Sequence, residues 1–258
     1  MTGFQAVLGV FVGFAAGVLS GLFGVGGGVI MVPAVNVLLG GSAINAIATP
    51  LPVILPTSLV GAFTYGRAGE ISVRAARWAA GPGILGAAGG AYLTRHVNTH
   101  LLLSITAVLI VWTAARLIRG RPPRVPWRLG ATPGWKYGFI GLVAGFTSGL
   151  LGLGGGIVMV PAFTILIGMP LRRALGTSLL VIAALVIPGT AVHSWLGHVN
   201  WTIFLVLVLG VIPGARLGAR IALGVAERTL RTAVGAFLLL IGLLYGAREI
   251  VALIETAG

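Results

Sequence analysis

Residues 13–34 read GFAAGVLSGLFGVGGGVIMVPA, and residues 141–162 read GLVAGFTSGLLGLGGGIVMVPA. The offset is 128 residues without a gap, and 14 of the 22 aligned positions are identical. In a chain of 258 residues, that offset makes the protein two copies of one unit. The element is apolar, breaks on consecutive glycines and continues into Met-Val-Pro. A doubled, apolar, broken-helix element is the pattern of a membrane transporter built from internal repeats.

Composition points the same way. Hydrophobic residues make up 57% of the chain and charged residues only 8%. A soluble domain carries about a quarter charged residues, so most of this exterior must face lipid. Apolar stretches run roughly over 4–23, 28–40, 46–66, 77–94 and 101–118. They recur near 135–151, 156–168, 174–195, 201–222 and 232–250. The expected fold is all-α and polytopic, one transport domain with an N-terminal repeat (1–118), a linker (119–134) and a C-terminal repeat (135–258). The second stretch of each half is short. Residues 28–40 would make about 20 Å of helix, less than the ~30 Å hydrocarbon core, so a re-entrant helix is expected. The N-terminus lacks a basic n-region and a clear cleavage site, and reads as a first membrane segment. There is no cysteine, which excludes disulfides and thiolate chemistry.

The formal charge of +13 does not indicate nucleic acid, because the basic residues sit in short loops rather than on one face of a folded domain. They report topology instead, since Lys and Arg accumulate on the cytoplasmic side. The small-residue skeleton is shared at the repeat offset: Gly61 with Gly189, Gly86 with Gly214, Gly90 with Gly218, Thr49 with Thr177. None of the 17 Lys and Arg matches another at that offset. A repeat that keeps its packing residues and changes its charged loops is what opposite orientation in the membrane produces. With the linker inside, the loops carrying Arg67, Arg74 and Arg77, then Arg172 and Arg173, then Arg228 and Arg231 also fall inside. That places 13 cations inside against Arg95 and Arg248 outside, with both termini outside. The expected architecture is two inverted-topology repeats of about five helical segments each, in the inner (cytoplasmic) membrane.

The glycine motif carries the chemistry. Its core is Ser20 to Gly28, with Gly26, Gly27 and Gly28 consecutive, and its copy is Ser148 to Gly156, with Gly154, Gly155 and Gly156. It is not a phosphate loop, because no Gly-Lys-Ser/Thr follows, and the last glycine of a dinucleotide fingerprint is replaced by Val29 and Ile157. Upstream, Gly13, Gly17 and Gly21, mirrored by Gly141, Gly145 and Gly149, recur every fourth residue, the spacing of a face that admits a neighbouring helix. Three glycines in a row disfavour helix by about 1 kcal/mol each relative to Ala. A short helix then starts afresh, with Pro33 and Pro161 as further helix-breaking positions. Its first N–H groups cannot be left in hydrocarbon, and a helix N-terminus favours anions. Two readings follow: a tight turn closing a helical hairpin, and an anion site at two glycine-rich helix starts meeting near the midplane, with Ser20 and Ser148 adding hydroxyls. The third stretches are irregular too. One holds Thr49-Pro50-Leu51-Pro52 and Pro56-Thr57-Ser58, the other Thr177-Ser178 and Pro188. Proline frees a carbonyl one turn earlier; the unwound backbone either lines a path or is satisfied by the neighbouring hydroxyls.

These paired motifs, SGLFGVGGG and SGLLGLGGG, each followed by Val-Pro at Val32-Pro33 and Val160-Pro161, resemble the TauE/SafE sulfite exporter family, also called the toluene-sulfonate uptake permease family. The run from Gly176 to Leu179 and that from His193 to Trp201 share the likeness, which covers essentially the whole chain. The first copy departs from the pattern: Pro50 stands where Ser178 does, and Tyr65 where His193 does. The resemblance implies movement of sulfur-containing or organic anions such as sulfite, sulfonates or sulfoacetate.

Titratable residues are few. The four acids, Glu70, Glu227, Glu249 and Glu255, lie in loops or near segment ends. With no carboxylate in mid-membrane, a cation permease or metal site is not expected. Glu70 and Arg74, four residues apart, are placed to pair. His193 is the candidate proton carrier. Arg216, flanked by Gly214 and Gly218, has two readings: a cation attracting the anion, or one snorkelling to the inner face. No nucleophile with its base, no paired acids and no metal ligands are visible, so no enzyme and no cofactor are expected. The expected function is secondary, ATP-independent transport of a small anion, with the lipid bilayer and that anion as partners and no nucleic acid; a homodimer is left open. The alternative is a non-transporting membrane partner or sensor subunit, or a permease for another solute class.

Overall fold

The computed structural model describes residues 3–39, 43–93, 111, 114, 115, 118, 119, 132–151, 154–240 and 243. Among the described residues there are helices and no strand. The first copy comprises α1 (Gly3–Phe23), α2 (Gly28–Val37), α3 (Ala43–Ala48), α4 (Pro50–Arg67) and α5 (Val73–Leu93). The second comprises α6 (Gly134–Leu151), α7 (Gly156–Pro161) running on into a π-helical turn (Ala162–Leu166), α8 (Leu171–Trp195), α9 (Trp201–Gly224) and a last helix, α10, over 227–240. The stretch expected over 101–118 and the linker fall largely outside the described residues, as does the end of the stretch expected over 232–250.

The glycine triplets end one helix and begin another. Gly24, Gly26 and Gly27 take φ of 68°, 85° and 83°, and Gly154 and Gly155 take 82° and 73°. Those left-handed values cost a residue with a Cβ roughly 1–2 kcal/mol, which is why glycine stands there. α2 then folds back along α1. Met31, Val35 and Leu39, a stripe four residues apart, bury against Ala16, Leu207 and Val211. The ten residues of α2 give about 15 Å of helix, so this arm is a short hairpin rather than a crossing. Pro33 does not end it: α2 runs through that position to Val37, losing only the hydrogen bond that proline cannot donate. At Pro161 the α-helical run does stop, and the chain widens into the π turn.

Glycine stripes set how the long helices meet. A side chain at Gly17 would begin 2.6 Å from the Val211 carbonyl oxygen, and Gly13 and Gly21 press on the carbonyls of Leu207 and Ala215. The contact is reciprocal, with Gly210, Gly214 and Gly218 against the carbonyls of Val10, Phe14 and Val18. Residue numbers rise together along both helices, so α1 and α9 run parallel, backbone to backbone. Gly141 and Gly145 against Ala79 and Gly83, with Gly86 against Leu142, make the same parallel contact between α5 and α6. One pairing becomes the other when the copies are exchanged. α4 and α8 occupy equivalent places in the two copies and pack on each other antiparallel, Leu51 beside Gly189 and Leu179 beside Gly61.

That antiparallel pair puts the equivalent turns 68–72 and 196–200 at opposite ends of the molecule. One end is basic. Arg173 forms a 3.5 Å ion pair with Glu70 and donates to the Gly69 carbonyl at 3.2 Å. Arg172 donates to the Val225 carbonyl at 2.6 Å, at the start of α10, and Gly134 lies under the Trp78 ring. The loops expected to share one side are therefore at one end. The other end carries exposed Trp195 and Trp201. Among the described residues, α1, α8 and α9 are long and apolar enough to cross a membrane. Residue counts of 18 for α4, 21 for α5 and 18 for α6 give about 27–32 Å each, but Gly, Pro, Lys and Arg together make up a larger share of these helices.

Candidate functional site

The two glycine breaks meet at the middle of the bundle. A side chain on Gly156 would fall 2.6 Å from the Val25 Cα, and one on Gly154 would begin 3.5 Å from the Val25 carbonyl oxygen. Ile54 and Ile182, equivalent residues of the two copies, flank this junction: a side chain at Gly26 would begin 3.2 Å from a methyl of each. Both isoleucines are fully buried. The short helices start here. Gly27 and Gly155 are their left-handed N-caps and make no side-chain capping bond. Ile30 and Met31 donate to the Gly27 carbonyl, and Val158 and Met159 to that of Gly155. The N–H groups of Gly28, Val29, Gly156 and Ile157 come ahead of those ladders, where a helix has no carbonyl of its own to offer.

The hydroxyls expected at the site divide into two sets. Ser20 sits below Gly27, its Cβ 3.5 Å from where a side chain would begin, and Ser148 stands in the same relation to Gly155 at 3.3 Å. Ser20 and Ser58 are fully buried, and their hydroxyls have no hydrogen-bond partner among the described residues. Ser178 reaches the first break, its Oγ 3.0 Å from the Gly24 carbonyl and 2.8 Å from that of Leu175. Thr57 instead bonds back to the Val53 carbonyl at 2.6 Å, filling an acceptor in a helix already interrupted by Pro56. Thr49 and Thr177 hold the structure together: Thr49 Oγ1 accepts from the Asn200 N–H at 3.1 Å and Thr177 Oγ1 from the Ser72 N–H at 3.0 Å. Ser72 and Asn200 are equivalent residues that cap α5 and α9, accepting from Ala75 and from Thr202 and Ile203. Each copy thus anchors the start of a helix of the other, α9 through Thr49 and α5 through Thr177.

Two expected residues lie apart from the junction. His193 is eleven residues beyond Ile182 on α8, about 16 Å along the axis, with its Nδ1 3.3 Å from that of His198. Arg216 is exposed on the outer face of α9, in a groove it shares with Arg67 of α4. Tyr65, by contrast, enters the core: its hydroxyl donates to the Gly21 carbonyl at 2.9 Å, one turn before the first break. Sequence reasoning marked Tyr65 only as the counterpart of His193, and did not single out Ile54 or Ile182. The repeat offset was the signal available for the isoleucines, since it aligns 54 with 182.

A family model described as sulfite exporter TauE/SafE matches residues 9–245. The chain belongs to the TauE/SafE family. It is similar to the probable membrane transporter protein YunE of Bacillus subtilis, 29% identical over 260 residues that cover 90% of this chain and 94% of that protein. A probable membrane transporter protein of Methanocaldococcus jannaschii is 24% identical over 253 residues, covering 91% and 92%. The Escherichia coli K12 probable membrane transporter protein YfcA is 26% identical over 222 residues, covering 86% and 82%. No solved structure matches. The TauE/SafE match spans both glycine breaks and every described helix except the first residues of α1. The protein is a membrane transporter of this family.

Proposed function

We propose that this chain is a multi-pass secondary carrier of the inner membrane, and that it moves a small sulfur-containing or organic anion, sulfite or a sulfonate, past the junction of the two glycine breaks. The observation that carries this reading is the meeting of two helix starts from opposite copies beside a buried Ser20 hydroxyl that has no partner among the described residues. Helix N-termini and a hydroxyl donor complement an oxyanion without a fixed countercharge. A site of dipoles holds the anion weakly enough to release it. Ile54 and Ile182 close the junction in this conformation, so transport requires α4 and α8 to part. The two copies stand inverted across the membrane with the basic end in the cytoplasm.

The test is flux of labelled sulfite into proteoliposomes holding purified protein, with no ATP. Ser20→Ala removes a hydroxyl that no described protein group uses, so folding should be unaffected while the KM for the anion rises about tenfold to a hundredfold, the worth of a hydrogen bond to a charged group. Sulfite flux that is absent in the folded wild type, or unchanged in Ser20→Ala, would remove the junction as the anion site.

A further inference from the structure

The outer face of the bundle carries a groove of about 800 Å³ between α4 and α9, floored by Leu180 of α8. Its walls are apolar, Leu59, Phe63 and Ile212 among them, and two of its lining residues are cations, Arg67 and Arg216. Phe63 is 67% exposed, and the Arg67 guanidinium lies 5.7 Å from its ring centre. Thr64 is spent on the Val60 carbonyl at 2.8 Å. Among the described residues neither arginine has a carboxylate partner: Glu70 pairs with Arg173 and Glu227 with Arg231. Arg216 lies eight residues before the end of α9, about 12 Å below the basic end. An unpaired guanidinium at that depth on a lipid-facing surface is costly.

The repeat supplies a control within the molecule. The equivalent surface between α8 and α5 carries Trp195 where Arg67 stands and Ala88 where Arg216 stands. The backbone framework is shared, but the cations are present in one groove only, the one opening toward the basic end. We propose that this groove binds an anionic phospholipid of the cytoplasmic leaflet, its phosphate between Arg67 and Arg216 and its acyl chains along Leu59, Phe63 and Ile212. Apolar walls with two unpaired cations match an amphiphile with an anionic head. They do not match a second copy of this chain, which has only four acids to offer. The leaflet assignment rests on the orientation proposed above; the binding itself does not.

Native mass spectrometry of the full chain in a neutral detergent, titrated with phosphatidylglycerol or phosphatidylcholine, reads the first binding step. Phosphatidylglycerol should bind more tightly. Arg67→Gln and Arg216→Gln should each weaken it about fivefold, leave phosphatidylcholine unchanged and melt like the wild type, since both side chains are exposed. Arg77→Gln, at the same end but outside the groove, should have no effect. The proposal fails if the double variant keeps full affinity for phosphatidylglycerol, or if Arg77→Gln lowers it equally. It also fails if millimolar sulfite or phosphate displaces the lipid, which would make the groove a port for small anions. Loss of lipid binding with flux intact supports the groove without touching the glycine junction.

Discussion

Single glycines in this chain do different jobs, and one added carbon separates them. At Gly86 a Cβ would collide with the Leu142 carbonyl oxygen, whereas at Gly89, one turn later on α5, nothing lies within 4 Å. Gly86→Ala should therefore force α5 and α6 apart and cost about 1–3 kcal/mol. Gly89→Ala should be neutral or raise stability by up to about 1 kcal/mol through helix propensity. Thermal melting in detergent compares the two. Equal shifts would mean that the α5–α6 contact is looser than described. Gly27 is a third kind. Its φ of 83° strains any other residue, and its missing side chain points at the Ala16 carbonyl and Ser20 rather than at Ile54 and Ile182. A bulky change there would confound strain with loss of the anion site, so Ser20→Ala is the cleaner probe of function.

At the scale of helices and turns, sequence spacing revealed what is periodic and missed what is reciprocal. The four-residue glycine stripes were legible because one helix shows the whole pattern, but their partners, α9 for α1 and α5 for α6, were not. The short second helices were legible because a run of 13 apolar residues cannot span the bilayer. Pro33 misled, because a proline near a glycine break reads as part of the break, yet α2 absorbs it with one missing bond. Thr49 and Thr177 read as path-lining hydroxyls, but each accepts from the residue that caps a helix of the other copy, α9 for Thr49 and α5 for Thr177, a pairing across more than 100 residues that no local pattern encodes. Ile54 and Ile182 were invisible as apolar residues in an apolar chain. The crossed threonine bonds predict a stability result. Thr49→Val and Thr177→Val each strand an N–H and should each cost about 1–3 kcal/mol. Because they tie opposite turns, the double variant should show the sum to within about 0.5 kcal/mol. A large departure from additivity in melting experiments would mean that the two ends are mechanically coupled through α4 and α8.

For the molecule as a whole, the decisive relation is between the copies. Parallel pairing of α1 with α9 and of α5 with α6, and antiparallel pairing of α4 with α8, are what a two-fold exchange of the copies requires. If the helices cross the bilayer, the axis of that exchange lies in the membrane plane, and the machine presents the same parts to both sides. Opening toward one face is then the mirror task of opening toward the other, the usual basis of alternating access in inverted repeats. The charge pattern breaks the equivalence, because the arginines of the turns joining these helices gather at one end, and it is the basis for the proposed orientation with that end in the cytoplasm. Ala68 and Leu196 test this directly. They are equivalent residues that follow α4 and α8, both exposed, in a chain with no cysteine of its own. In intact cells a membrane-impermeant thiol reagent should label Leu196→Cys and spare Ala68→Cys, and it should reach Ala68→Cys once the membrane is permeabilised. Labelling of both from outside would make the copies parallel and would dissolve the link between the two-fold contacts and transport. Labelling of Ala68→Cys alone would keep the inversion and reverse the orientation, placing the basic end outside against the charge rule.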